Sequence, residues 1–298
     1  VVVGVGNVSM DVTRVLVQDR EVLGRTDIAA HALEALRDTA VTDVYVLGRR
    51  GAAQAAFSPG EIKEIEEIEG VDLVVRPEDV ELDPASAAWV EQANDKQVNA
   101  NLAFLREVAG RPLTKPRRVH LMLNTSPIAI HGEDGRVTAV EVGRNRIEER
   151  GGRLAAVDTG ERTRLDAGLV FRAIGYRGIP IPGVPFDERS GTIPNVGGRV
   201  TRDGQVVERL YVAGWAKRGP TGLIGTNRAD ARDTVDRMLE DRSTLPAVER
   251  EPIAYQNATS WADWQRLDAE ERRRGEEAGK LREKFTSVSD MLAVLERE

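Results

Sequence analysis

The sequence predicts an α/β protein built on a parallel sheet layered with helices, and three observations predict it. The chain opens on an apolar run that breaks into closely spaced glycines and passes directly into helical periodicity, Val1-Val2-Val3-Gly4-Val5-Gly6-Asn7-Val8-Ser9-Met10-Asp11 followed by Val12, Val15 and Leu16. Apolar strand-like runs then alternate with amphipathic stretches, as expected of βαβ units. A second apolar strand turns through glycines into a helix at Leu210–Thr226.

The opening stretch reads as strand, tight turn and helix, with the helix over about Val8–Gln18. Glycines at 4 and 6 let a backbone approach a pyrophosphate, and the free N–H groups and dipole of a helix start hold its negative charge. Ser9 occupies the third fingerprint position, where Gly or Ala is usual. The structural alternative is an ordinary turn between a buried strand and a helix. Because the chain starts inside a strand with no Met before it, it reads as a fragment.

Arg25-Thr26-Asp27-Ile28 offers a cap for a second helix through Ala29, Ala30, Leu33 and Leu36 to about Arg37. Asp43–Gly51 reads as a buried strand ending in Arg49 and Arg50. In a dinucleotide fold the end of this strand meets the adenine ribose. A carboxylate there selects the free 2′-hydroxyl of NAD, whereas two guanidinium groups suit the 2′-phosphate of NADP. The spacing from the glycines is about twice the usual twenty residues, which the extra helix explains. Paired arginines at a strand end are otherwise a solvated feature.

Ser58-Pro59-Gly60-Glu61 reads as an N-cap, a first-turn proline and a capping box that employs Glu61. Val71–Val75 is a third strand, Glu81–Asn101 is polar and loosely patterned, and Leu102–Val108 is a short helix. The basic segment Arg111–Arg118 is a connector. Strands dominate from Val119: Val119–Ile130 and Val137–Val142 flank a turn at Asp134-Gly135, and Arg153–Val157 and Thr163–Leu165 flank one at Thr159-Gly160. Leu169–Tyr176 returns to the interior, and prolines 180, 182 and 185 mark a boundary. Short strands and turns fill Gly191–Arg209, ahead of a glycine-rich turn and a helix from about Leu223 to Glu240. The tail from Asn257 is charged and helical; Trp261 and Trp264 are expected to dock it, Arg272-Arg273-Arg274 to form a solvated face, and Ser289 to cap the last helix. His31, His120 and His131 show neither ligand spacing nor an evident acid partner.

Composition bounds the chemistry. The 298 residues suffice for two domains and a sizeable core. A net charge of −7 argues against a general nucleic-acid binder. The absence of cysteine removes disulfides, thiol nucleophiles, thiolate zinc sites and cysteine-held iron–sulfur clusters. No apolar run reaches membrane-spanning length, and no metal site is expected.

The motifs in this order resemble the adrenodoxin reductase type of ferredoxin:NADP reductase, a flavoprotein family with two dinucleotide-binding domains. The residues that carry the resemblance are Gly4–Asp11, Gly48-Arg49-Arg50-Gly51 with Gln54–Ser58 and Glu61, Ile174-Gly175-Tyr176, Pro185-Phe186-Asp187, Ile193–Arg199 and Gly214–Gly222. It is weakest between Pro84 and Pro116. The resemblance implies a Rossmann-like three-layer NADP-binding domain over residues 1–174, truncated at its N-terminal edge. The C-terminal part of an FAD-binding domain with a helical tail would occupy residues 175–298. The first half of the FAD domain would precede Val1.

The resemblance also implies that Gly4, Gly6, Asn7 and Val8 meet the NADP pyrophosphate and that Arg49 and Arg50 grip the 2′-phosphate. Glu61 becomes the catalytic candidate beside the nicotinamide, a role compatible with the cap. Gly214 and Trp215 would lie by the flavin, with the backbone at Gly222 and Leu223 bonded to its ring. The implied activity (EC 1.18.1 type) is hydride transfer between NADPH and FAD, then single-electron transfer to a ferredoxin, in the cytoplasm. Two alternatives stand beside it: a redox-inert NADP-binding fragment, and another NADPH-dependent flavoprotein such as a glutamate synthase small-subunit-like protein. Ferredoxins are typically acidic, and Lys115, Arg117 and Arg118 are the basic candidates to meet one.

Overall fold

The computed structural model describes residues 1–222, 224–247 and 258–296. The chain divides into two compact units, one of Val1–Ile174 with Asn257–Glu298 and one of Gly175–Gln256. In the first unit β1 (Val2–Val3) runs into α1 (Asn7–Val17), and α2 (Arg20–Gly24) and α3 (Ala30–Leu36) lead to β2 (Asp43–Leu47). Then come α4 (Pro59–Glu66), β3 (Val71–Val75), α5 (Pro77–Val80), α6 (Pro84–Ala93), α7 (Lys96–Val108) and β4 (Arg117–Met122). A meander of β5 (Thr125–Glu133), β6 (Arg136–Arg150) and β7 (Arg153–Asp166) precedes β8 (Phe171–Arg172).

The sheet order is β3-β4-β2-β1-β8, with every pair parallel. Its strands are rich in Val and Leu because both faces are covered: α1, α4 and α7 pack on one, and Val140, Val142 and Leu165 of the β6–β7 meander pack on Val1 and Leu47 on the other. Val2, Val44, Val46, Leu73, Val119 and Leu121 pack with Met10, Val17, Ile62, Ile65 and Leu105 in one core. The chain leaves β1 toward β2 on one side and returns as β8 on the other. The carboxyl end of β1 is therefore the switch point at which such sheets open a ligand crevice.

Several expectations need correction. The stretch Val119–Ile130 divides into β4 and β5, broken where Asn124 takes φ 50°. Asp134-Gly135 does form the first hairpin turn, with φ 51° and 74°. The second turn lies at Gly151-Gly152, with φ 58° and 73°, and Thr159-Gly160 sits instead in an irregularity of the continuous strand β7 opposite Arg144. Both sites carry turn residues, and only pairing with β6 decides between them. The polar stretch 81–101 contains α6 and the start of α7, whose N-termini Asp83 and Asp95 cap by accepting from the backbone N–H of Ser86 and of Gln97 and Val98. The proposed cap at Thr26-Asp27 is absent: Asp19 caps α2, and α3 starts at Ala30 behind Ala29, which supplies no side-chain cap. The interior strand expected over Leu169–Tyr176 shrinks to Phe171–Arg172, paired with β1.

In the second unit β9 (Asn195–Val196), β10 (Arg199–Arg202) and β11 (Gln205–Tyr211) form an antiparallel sheet, followed by α8 (Trp215–Arg218) and α9 (Ile224–Arg242). Its buried apolar cluster consists of Ile193, Val200 and Val212. The tail forms α10 (Trp261–Glu277) and α11 (Val288–Leu295). The sequence reading groups this tail with residues 175–256, yet it packs on the first unit. Lys280 Nζ donates to Ile28 O at 2.9 Å, Glu283 accepts from Ala30 N at 3.3 Å, and Lys284 pairs with Asp27 at 2.7 Å.

Trp261 and Trp264 do not dock the tail. They stack on one another at 4.5 Å and stay exposed, so charged groups around residue 280 supply the attachment. Arg272 and Arg273 pair with carboxylates along α10, as a solvated face does, whereas Arg274 packs over Phe285. Ser287, not Ser289, precedes α11, and it makes no side-chain cap.

Candidate functional site

At the switch point Gly4 takes φ 126°, and a Cβ there would lie 2.2 Å from Ala173 O, so the contact of β1 with the chain leaving β8 requires glycine. Gly6 is the N-cap of α1, and a Cβ added to it would project into space with no atom within 4 Å. That open face lies beside the first N–H groups of the helix, which have no intrahelical acceptor. Ser9 is fully buried and donates to Gly6 O at 2.5 Å; Thr13 donates to Ser9 O at 2.7 Å. The serine hydroxyl is thus satisfied inside the first turn, and its small volume keeps α1 close to the sheet. Val8 is exposed on the same turn.

The loop after β2 is held by the strands that follow it in the chain. Thr125 N donates to Gly48 O at 2.8 Å, Asn124 N to Arg50 O at 3.0 Å, and Asn145 Nδ2 to Arg49 O at 2.8 Å. Arg49 and Arg50 are both exposed, and among the described residues neither makes an ion pair. Burial, and next the charge of Arg49, push the pKa of Arg50 below the ordinary arginine value. The pair is an uncompensated positive charge at the carboxyl edge of the sheet, suited to a dianion.

Glu61 does not form the expected capping box, because Ser58 makes no side-chain cap and its N–H is already donated to Asn7 Oδ1 at 2.8 Å. A capping glutamate needs that N–H. The Glu61 carboxylate instead meets Arg14 at 2.5 Å, and Arg14 also reaches Glu64 and Asp11, each at 2.9 Å. Burial lowers the pKa of Arg14, but the hydrogen bond and charge of Glu61, with help from Glu64 and Asp11, outweigh it and raise the pKa. Sequence reasoning missed Arg14: its helical position gives no hint of a partner 47 residues away. Val5 O accepts from Ala56 N and Phe57 N at 2.8 and 3.0 Å, tying the glycine turn to the segment that leads into Glu61. The structure therefore gathers Gly4, Gly6, Asn7, Val8, Arg49, Arg50 and Glu61 around the carboxyl ends of β1 and β2.

In the second unit Gly214 takes φ 67° and gives its N–H to Asp230 Oδ2 at 2.6 Å, while Lys217 pairs with Asp230 at 2.9 Å. Burial raises the Asp230 carboxyl, but hydrogen bonds from Lys217 and Gly214 outweigh it and hold it below the usual carboxylate value. Gly214 accordingly shapes the turn and has no N–H left for a ligand. Trp215 is 47% exposed and stacks on Tyr176 with ring centres 6.0 Å apart. Gly222 takes φ 82° just ahead of α9, and Leu223 lies outside the described residues.

Other sequence candidates resolve differently. His120 has an acid partner after all, Asp43 at 2.7 Å, and stacks on Tyr45; the two strands that bring them together are 77 residues apart in sequence. Of the basic connector, Lys115 Nζ donates to Val71 O and Arg117 to Val17 O, which makes these two side chains struts of the sheet edge. Among the described residues no cluster of three potential metal ligands occurs, and no helix is long and apolar enough to cross a membrane.

A parallel sheet with a glycine turn at its switch point, helices on one face and a β-meander on the other defines a Rossmann-type α/β protein. No family model matches the chain. It is 43% identical over 312 residues to an NADPH-ferredoxin reductase, FprA, of Mycobacterium tuberculosis, covering 99% of this chain and 66% of that protein. It is 33% identical over 318 residues to a mitochondrial NADPH:adrenodoxin oxidoreductase of Arabidopsis thaliana, covering 98% and 65%. The solved structure of Mycobacterium tuberculosis FprA in complex with NADPH superposes with a TM-score of 0.84 at 41% identity, covering 98% of this chain and 66% of the other. The chain belongs to the adrenodoxin reductase-type family of NADPH–ferredoxin reductases. It spans about two thirds of the length of these relatives.

Proposed function

We propose that this chain is the NADP-binding domain and part of the FAD-binding domain of an NADPH:ferredoxin oxidoreductase. The observation that carries the reading is the meeting, at one edge of the sheet, of the open N-terminus of α1 with the uncompensated pair Arg49 and Arg50. The NADPH named in the neighbouring FprA complex supports it. In this reading residues 1–174 are the NADP domain and residues 175–256 belong with the FAD domain, while the tail from 257 packs on the first unit.

NADP fits the residues present. The backbone at Gly6, Asn7 and Val8 would receive the pyrophosphate, with the space beyond Gly6 leaving room for close approach. Arg49 and Arg50 would hold the 2′-phosphate and select against NADH. Glu61, fixed by Arg14, would orient the nicotinamide ring. The second unit offers a surface that suits a flavin: an exposed Trp215 and a left-handed Gly222 at the approach to a 19-residue helix. Trp215 would cover one face of the ring system, and the backbone at Gly222 and Leu223 would meet its polar edge. FAD, when bound, supplies the conversion of a two-electron hydride into single electrons that an iron–sulfur carrier accepts. The protein contributes binding, orientation and exclusion of water.

A second reading, NADP binding without flavin chemistry in the isolated chain, is favoured by the small apolar cluster of the second unit and by the exposure of Tyr176, Ile179 and Val196. One experiment separates them. Purified chain is mixed with FAD, dialysed and examined by absorbance before and after NADPH under argon. A retained flavin spectrum that bleaches, and is restored by an added ferredoxin, supports the reductase; a colourless protein that still binds NADPH supports the second reading. Failure to bind NADPH refutes both.

A further inference from the structure

The loop that carries Arg49 and Arg50 is fixed through three successive carbonyls. Two of them, Gly48 O and Arg50 O, accept from the backbone N–H groups of Thr125 and Asn124. The middle one, Arg49 O, accepts from a side chain, Asn145 Nδ2 at 2.8 Å. Asn145 is 7% exposed; its Nδ2 also donates to Ser126 Oγ at 2.8 Å, and its backbone N–H donates to Asn124 O at 2.7 Å.

An irregularity in the meander places it there. Regular pairing of β6 with β7 breaks between Gly143 and Asn145, and Thr159 Oγ1 donates to Arg144 O across the break at 2.9 Å. On the other flank Arg144 donates to Leu123 O at 2.9 Å and to Asp79 at 2.6 Å, a carboxylate with a fully buried side chain. The crossover from β4 to β5 is thus braced from both sides, and Asn145 is delivered to the one of these three carbonyls that no backbone N–H among the described residues serves.

Two like charges on adjacent residues repel, so a mobile loop would let them separate, and holding them at one phosphate then costs ordering entropy on binding. We propose that Asn145 is a positioning residue for cofactor selectivity: by fixing the Arg49 carbonyl it preorganises Arg49 and Arg50 to receive a 2′-phosphate together. The inference rests on the assignment of those arginines to the 2′-phosphate. Asn145 touches no cofactor in this reading and acts only through the loop.

The test measures affinity of the whole chain for NADP⁺ and NAD⁺ by titration calorimetry, with the melting temperature of each variant. Asn145→Leu keeps the branched shape of the side chain, at a somewhat larger volume, and removes the donor. NADP⁺ binding should weaken about three- to tenfold, the worth of one intramolecular hydrogen bond, with NAD⁺ binding little altered. Thr159→Val removes a hydrogen bond from the same meander without touching the loop and should leave the NADP⁺ to NAD⁺ ratio at the wild-type value. Should Asn145→Leu not fold, Asn145→Ser withdraws the donor with less disturbance and reads the same ratio. An unchanged ratio in the Asn145 variants, including equal weakening for both nucleotides, overturns the inference. A wild-type chain without preference for NADP⁺ overturns the assignment of Arg49 and Arg50, and the inference with it.

Discussion

Neutralising the arginine pair is the most direct test of how this chain reads a nucleotide. Arg49 and Arg50 make no ion pair among the described residues and stand at the edge of the sheet, so Arg→Gln removes binding charge with little structural cost. Stability should stay within about 0.5 kcal/mol of wild type, as for surface substitutions away from special features. Charge-assisted hydrogen bonds are worth about 1.5–3 kcal/mol, and exposure to screening solvent places both arginines at the lower end. At about 1.4 kcal/mol per decade, Arg49→Gln and Arg50→Gln should each weaken NADP⁺ about tenfold, and the double variant about a hundredfold. NAD⁺ lacks the phosphate and should change by no more than about twofold, given that no other contact is lost. Titration calorimetry with both nucleotides at low and at high salt reads the effect. Wild-type affinity for NADP⁺ should fall with salt, and that dependence should flatten in the double variant. Equal losses for both nucleotides, or none for NADP⁺, would refute the reasoning.

Three further outcomes follow from the geometry. Under the proposed function, Glu61→Gln in the FAD-loaded chain should slow flavin reduction by NADPH, with a stability loss of only about 0.5–1 kcal/mol for the partly exposed pair with Arg14; unchanged stopped-flow rates with a lowered melting temperature would make Glu61 merely structural. Gly4→Ala should destabilise the first unit by about 3 kcal/mol, lowering its melting temperature by about 6–12 °C, because alanine meets both φ 126° and the Ala173 carbonyl; a melting curve like that of wild type contradicts the contact. Burial raises the Asp43 carboxyl, but hydrogen bonds from His120 and Thr42 and the charges of His120 and Arg118 outweigh it and hold it below the ordinary value. Its folded pKa lies under the unfolded one, so its stabilisation is present above about pH 4 and is lost as pH falls through the folded value. Asp43→Asn should flatten the acid limb of a urea-unfolding series, and an unchanged limb argues against the pair.

Much of the first unit was legible in contiguous residues. The strand, glycine turn and helix at the start, the apolar runs of β2 and β3, and the arginines closing β2 are local patterns, and they stand where periodicity and turn chemistry put them. The helices in 81–101 were legible in principle through Asp83 and Asp95, whose capping outweighs the weak apolar pattern there. The capping box failed for a reason that no local signal carries: the N–H it needs is taken by Asn7, 51 residues earlier.

By itself the sequence determined the class of fold, the glycine turn at Gly4–Gly6 and the charge at Arg49 and Arg50, because each is a property of neighbours in the chain. Only the tertiary structure decided the sheet order β3-β4-β2-β1-β8, the partnership of Arg14 with Glu61, and the support of Arg49 by Asn145 from 96 residues away. Those depend on which strands lie side by side. A polar side chain in a sequence shows that it needs a partner, and the fold alone brings the partner within hydrogen-bond distance.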